Sequence, residues 1–182
     1  NQKKAAFSAY IEAREAILSP ATIREYKRSA KTDLQELMPL KICDLTQETI
    51  QQAINHESLT HSPKSVRNMH GLLSAVLQAY RPAFALRTSL PQKERPALYI
   101  PSDDDVKRII GYASGTVMEL PILLAAFGPM RRGEICALDS RDISGNVVHV
   151  CRNMVRNDQN SWVIKQPKSY AGNRYIDYPD FV

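Results

Sequence analysis

Apolar side chains recur through the first half of the chain at steps of three and four residues. After Ser19 they are Ile23, Tyr26, Ala30, Leu34 and Leu37, one stripe of an amphipathic helix. After Ser62 the stripe is Val66, Met69, Leu73, Val76 and Tyr80. Both runs open on Ser-Pro, at Ser19-Pro20 and Ser62-Pro63. A serine there can cap free amides, and proline suits the first helical position. A third helix is expected from near Thr46 to about Glu57. The stretch from Thr88 to Pro101 has no period and carries Pro91, Pro96 and Pro101 with Lys93, Glu94 and Arg95, the composition of a linker.

Beyond it the pattern changes twice. A helix is expected from Ser102, with Asp103, Asp104 and Asp105 in a first turn where carboxylates suit the helix dipole. An apolar helix over roughly Val117 to Phe127 should break at Gly128-Pro129, and another should run through Glu134 and Leu138. From Asn146 to Val155 the chain is rich in β-branched residues. Asn157 to Asn160 reads as a turn, Trp162-Val163-Ile164 as a strand, and Tyr170 to Asn173 as a second turn. A last strand spans Tyr175 to Pro179, completing a three-stranded antiparallel meander. Trp162 is expected to pack within the strand, and Tyr26 and Tyr80 in the core. The fold class is therefore mainly α with a small antiparallel sheet. Residues 1–88 form a helical domain, 89–101 a linker, and 102–182 a second domain.

Composition adds constraints. The 182 residues, 43% hydrophobic and 24% charged, are ordinary for a globular protein. No apolar run approaches the ~20 residues of a membrane span, and no secretory leader is visible, so a cytoplasmic protein without a membrane partner is expected. Cys43, Cys136 and Cys151 are odd in number and form no Cys-x-x-Cys pair. That spacing argues against a disulfide framework or a zinc site. The net charge is +5, and its excess lies in the first half, where residues 1–95 hold 14 Lys or Arg against 9 Asp or Glu. Arg24, Lys27, Arg28 and Lys31 share one helix face, while Lys64, Arg67 and Asn68 share the outward side of another with Gly71 and Ser74. Such stripes are more often solvated faces than contacts, but two of them on capped helices can lie against a duplex backbone.

The run Arg131-Arg132-Gly133-Glu134-Ile135-Cys136-Ala137-Leu138, followed by Asp142-Ile143, resembles the arginine box of the tyrosine recombinases, the phage-integrase family. Ser62 to Asn68 resembles a helix of that family's DNA-clamping core-binding domain. Pro167-Lys168-Ser169-Tyr170 with Arg174-Tyr175-Ile176-Asp177 resembles its lysine-bearing β-hairpin. The features occur in the family's order over nearly the whole chain. One departure is local: where the family has glycine two places before the arginine, this chain has Pro129, with Gly128 one place earlier.

The resemblance implies a SAM-like helical core-binding domain followed by the first part of an α/β catalytic domain. It implies double-stranded DNA as partner, cleavage and rejoining through a 3′-phosphotyrosyl link, and self-association as a tetramer on DNA, with no metal or nucleotide cofactor. Arg131 would grip the phosphate, since a planar guanidinium reaches two non-bridging oxygens at once. Glu134 would support it, and Lys168 would protonate the departing 5′-oxygen, with Lys165 three residues upstream as the competing lysine. Alone, an Arg-Arg-Gly-Glu run is often a solvated ion-pair cluster.

The family's later His-x-x-Arg box and nucleophilic tyrosine are not matched. His149-Val150-Cys151-Arg152 has the spacing, but it precedes the lysine hairpin, and strand alternation would send His149 and Arg152 to opposite faces. Tyr170, Tyr175 and Tyr178 also precede the point where the nucleophile belongs. The expectation is a truncated, DNA-binding and non-cleaving piece of a recombinase. The alternatives are a non-catalytic DNA-binding regulator, a decayed recombinase, or a protein–protein module with incidental charge.

Overall fold

Helix caps set the frame of the first half. In a computed structural model describing residues 2–93, 95 and 97–182, Ser19 Oγ accepts from the Thr22 amide at 3.3 Å and Ser62 Oγ from the Ser65 amide at 3.3 Å. Proline begins each helix that follows. These are α2 (Pro20–Thr32) and α4 (Pro63–Tyr80), with α1 (Gln2–Glu12) before them and α3 (Gln47–Thr60) between them. Thr46 and Thr49 close a reciprocal cap on α3. Glu94 and Pro96, part of the predicted linker, lie outside the described residues.

The chain divides into two compact units, residues 1–96 with 157–159, and residues 97–156 with 160–182. In the first unit, Ile50, Ile54, Val66, Leu73, Val76 and Leu77 are no more than 1% exposed and centre the core. Tyr26 packs against that core half-buried, whereas Tyr80 is 46% exposed. The expected stripe fails at Tyr80 because α4 ends there and Arg81 caps it. Helix α2 also stops early, at Thr32. Leu34 sits in the left-handed region at φ 52°, its amide donating to Glu57 Oε1 at 2.7 Å. A short 3-10 turn, Gln35–Leu37, then returns Leu37 to the core.

The segment after α4 is extended, and α3 holds it. Gln47 Nε2 donates to the Ala85 carbonyl at 2.6 Å, and Gln47 Oε1 accepts from the Arg87 amide at 2.9 Å. One helical turn on, Gln51 Nε2 donates to the Ser89 carbonyl at 3.1 Å and its Oε1 accepts from the Ser89 amide at 2.8 Å. Two glutamines at i and i+4 thus face one strip of backbone. Replacing both with leucine should remove about 0.5–1.5 kcal/mol per bond and speed amide exchange at Arg87 and Ser89. Unchanged exchange at those two amides would show that the lacing holds nothing.

In the second unit, α5 (Asp103–Ala113) opens on a Ser102–Asp105 capping box, which gives the acidic triplet its helix-start role. Then come α6 (Glu119–Phe127) and α7 (Arg132–Ile135). Helix α7 is four residues long and does not reach Leu138 as expected. The strands are β1 (Ile143–Ser144), β2 (Val147–Val150), β3 (Asn153–Arg156), β4 (Trp162–Lys165) and β5 (Arg174–Asp177).

The sheet corrects the expected meander. Strands β1, β2 and β5 form one antiparallel sheet in the order β1-β2-β5, while β3 and β4 pair separately, with Arg156 opposite Trp162. The run from Asn146 to Val155 is broken at Cys151-Arg152, where the Arg152 guanidinium turns to the Asp142 carboxylate. Trp162 is 56% exposed, its ring covered by the Arg156 guanidinium 4.5 Å away, so it does not pack as a core strand residue. A small core of Leu124, Met130, Val148, Val150, Ile176 and Tyr178 joins α6 to the three-stranded sheet.

Two glycines permit close approach around α7. A Cβ on Gly128 would overlap the Tyr178 ring, whose hydroxyl donates to the Leu124 carbonyl at 2.9 Å. A Cβ on Gly133 would overlap Asn153 Oδ1 and come within 2.7 Å of the Met154 carbonyl. That neighbour is backbone and cannot rotate away, so helix propensity, which favours alanine, is overridden. Gly133→Ala should cost about 1–3 kcal/mol in urea unfolding. A variant as stable as the parent would mean α7 and β3 are less tightly apposed.

Candidate functional site

Glu134 is the electrostatic centre of the second unit. Its side chain is 5% exposed, and its carboxylate accepts from four donors. Oε2 takes the Arg131 backbone amide at 2.8 Å and Arg174 Nη2 at 2.9 Å. Oε1 takes Arg131 Nη1 at 3.0 Å and Arg174 Nη1 at 3.2 Å. Burial alone would raise its pKa, but the Arg174 guanidinium and then the Arg131 amide and guanidinium hold it at about 2, below an ordinary 4.5. Glu134 is therefore ionised at neutral pH, suited to holding arginines and unsuited to donating a proton.

The two arginines differ. Arg174, 22% exposed, also donates to the Pro129 carbonyl at 2.6 Å, so it fixes the turn entering α7. Arg131 is 77% exposed and spends one guanidinium nitrogen on Glu134. Its backbone is anchored while its head faces solvent. Arg131, Glu134 and Lys168 line one cleft of about 410 Å³, with Asn153, Pro167, Ser169 and Gly172. Arg132 is exposed and does not line that cleft, nor does Lys165, which lines a neighbouring one with Lys168.

The sequence pattern sets Arg174 within the hairpin run without a role of its own and does not single out Asn153. Alternation along β5 marks Ile176 and Tyr178 as the buried side, which puts Arg174 on the same side as the core. An arginine there needs an anion, and in the second unit the buried Glu134 supplies it. That signal was present in the sequence.

The departure at Pro129 has a structural counterpart: Gly128 is packed under Tyr178, and the Pro129 carbonyl is taken by Arg174. His149 and Arg152 are not sent apart as alternation implied. Strand β2 ends at Val150, and both side chains gather at Asp142, whose carboxylate pairs with Arg152. Burial opposes ionisation of Asp142, but the Asp139 amide and Arg152 hold its pKa below the ordinary value.

In the first unit the basic residues of α2 separate. Arg28 lines a cleft of about 670 Å³ with Arg67 and Asn68 of α4, while Lys27 and Lys31 line another with Ser8, Ile11 and Glu12 of α1. Arg24, Lys31, Lys64 and Asn68 are exposed. Lys27 pairs with Glu15 at 2.8 Å, and Arg28 with Glu25 at 3.1 Å and the buried Asp33 at 3.4 Å. Arg67 is half-buried and donates to the Pro91 carbonyl at 2.8 Å, a role in holding the chain that its place on an outward stripe did not suggest.

Known structures place this fold. The chain aligns over 97% of its length with the Tn1549 transposon integrase in complex with a circular intermediate DNA, at TM-score 0.77 and 15% identity. Two further integrase structures, one with transposon right end DNA and one with circular intermediate DNA, give 0.74 at 14% and 17% identity, each over 97% of this chain. The chain spans about 61% of the length of the first of these integrase chains. No family model matches it, and no curated protein does. At these identities the likeness shows the fold, which is tyrosine-recombinase-like: helices followed by a helical unit with a small antiparallel sheet. Among the described residues no helix is long and apolar enough to cross a membrane.

Proposed function

We propose that this chain is the DNA-gripping portion of a tyrosine-type site-specific recombinase, whose intact parent cuts and rejoins duplex DNA through a 3′-phosphotyrosyl intermediate. The observation that carries the reading is the cleft in which Arg131, anchored by the ionised Glu134, shares a wall with Lys168. A phosphodiester entering it would meet a guanidinium with free donors, facing the oxygens on which charge grows as the phosphorus is attacked. Lys168, exposed at the same wall, is the candidate donor to the departing 5′-oxygen. Glu134 and Arg174 act by holding Arg131 still.

The first unit would hold the duplex through Arg24, Lys27, Arg28, Lys31, Lys64, Arg67 and Asn68. Its excess charge and the solved DNA complexes of the similar integrases support this. The domain scheme follows: 1–88 clamps DNA, 89–101 connects, and 102–182 presents the phosphate ligands. Titrating the chain against a duplex at several salt concentrations tests the reading. Four or more phosphate contacts would give a log–log slope of about −4 or steeper. Salt-insensitive binding, or none, would refute it.

A further inference from the structure

The cysteine spacing argues against a zinc site, yet the fold brings Cys151 to Asp142 and His149 where β2 ends. Cys151 Sγ donates to Asp142 Oδ1 at 3.6 Å, and ligand atoms of Asp142, His149 and Cys151 all lie within 4.8 Å of one another. We propose that Asp142, His149 and Cys151 form a site for one Zn²⁺ ion, bound through a carboxylate oxygen, an imidazole nitrogen and a thiolate, with water as fourth ligand.

The donor set is a mixed O, N and S trio, which suits a borderline-soft divalent ion. Zinc bonds of about 2.0–2.3 Å imply ligand–ligand edges of roughly 3.3–3.7 Å in a tetrahedron. The Asp142–Cys151 edge already has that length. The ligand atoms lie no more than 4.8 Å apart, so the widest pair needs to close by at most roughly 1.1–1.5 Å, a shift that side-chain rotation can supply.

The surroundings leave one oxygen of Asp142 for the ion. Oδ2 is held by the Arg152 guanidinium and accepts the Asp139 amide at 2.9 Å, so Oδ1 is the oxygen turned to Cys151. His149 is braced as ligating histidines usually are. Its Nε2 lies 2.7 Å from Asn173 Oδ1, and its ring stacks on Tyr175 with centroids 4.3 Å apart. His149 and Cys151 are two residues apart on one side of the chain, opposite buried Val148 and Val150. Loading replaces the thiol proton: Cys–SH and Zn²⁺ give the zinc thiolate and H⁺, which passes to solvent. The ion would join the turn before β1 to the end of β2, independently of any DNA contact.

Cobalt titration of the chain tests this. One equivalent of Co²⁺ should produce a thiolate-to-cobalt charge-transfer band with tetrahedral d–d bands, and Zn²⁺ should displace it. The band should survive in the Cys43→Ser/Cys136→Ser double variant and vanish in Cys151→Ser. His149→Ala should weaken binding at least about tenfold. Cobalt bound without a thiolate band, or an unchanged band in Cys151→Ser, overturns the proposal. A readout without substitution guards against misfolded variants: Zn²⁺ should shield Cys151, and not the exposed Cys43 and Cys136, from alkylation. Equal labelling of Cys151 with and without Zn²⁺ would also overturn it.

Discussion

Replacing Glu134 with alanine is expected to lower the unfolding free energy by about 3 kcal/mol, the scale of removing one partner from a buried ion pair. Arg174 would lose two of its four hydrogen-bond contacts and keep the carbonyls of Pro129 and Gly172. The Arg131 amide would lose its acceptor as well, so the damage reaches the backbone entering α7. Glu134→Gln keeps an acceptor of the same shape but no charge, and should lose less. The same pair gives a pH signature. Because folding depresses the Glu134 pKa from 4.5 to about 2, its stabilisation is complete above about pH 4.5 and is lost as pH falls towards 2. At about 1.4 kcal/mol per pH unit that loss approaches 3 kcal/mol. Wild-type stability should therefore fall more steeply with acid than that of Glu134→Gln. Parallel curves for the two proteins would mean Glu134 is not held as described.

Arg131→Lys in the intact parent is expected to reduce strand cleavage by roughly 10²–10³-fold while leaving duplex affinity nearly unchanged, the cost of removing a donor aimed at developing charge. A lysine keeps the positive charge but presents one point of contact where the guanidinium presents a fork. It would also have to choose between Glu134 and the phosphate, since Arg131 already spends Nη1 on Glu134. Gel assays of cleaved and covalently linked DNA would measure the effect. Normal cleavage by the lysine variant would remove Arg131 from the chemistry.

What was legible in the sequence is what local chemistry decides. Ser19-Pro20 and Ser62-Pro63 start helices because a cap and a fixed φ act within one turn, and the stripe of Val66, Met69, Leu73 and Val76 is buried because period alone picks a face. The runs around Arg131 and Lys168 could be paired from a resemblance, and the fold then brings the two residues to one cleft. Several of the failures are long-range. Nothing near Val150 announces that the strand will break, because the cause is Asp142 drawing in Arg152. Helix α2 stops at Thr32 although the stripe runs on, because Glu57, far along the chain, holds the Leu34 amide in a left-handed turn. The lacing of Ala85 to Ser89 by Gln47 and Gln51 likewise joins residues about forty positions apart.

The structure also separates basic residues free to meet a phosphate from those already holding the fold. Arg67 is half-buried on the Pro91 carbonyl, and Arg28, though exposed, pairs with Glu25 and the buried Asp33, whereas Arg24, Lys31 and Lys64 are exposed without such a role. The most direct measurement is therefore the salt dependence of duplex binding by an Arg24→Gln/Lys31→Gln/Lys64→Gln variant beside the parent chain. If these residues meet the backbone, the variant should bind all duplexes more weakly, with a log–log slope shallower by about 3. Equal slopes and equal affinities would contradict the DNA-clamping role of the first unit.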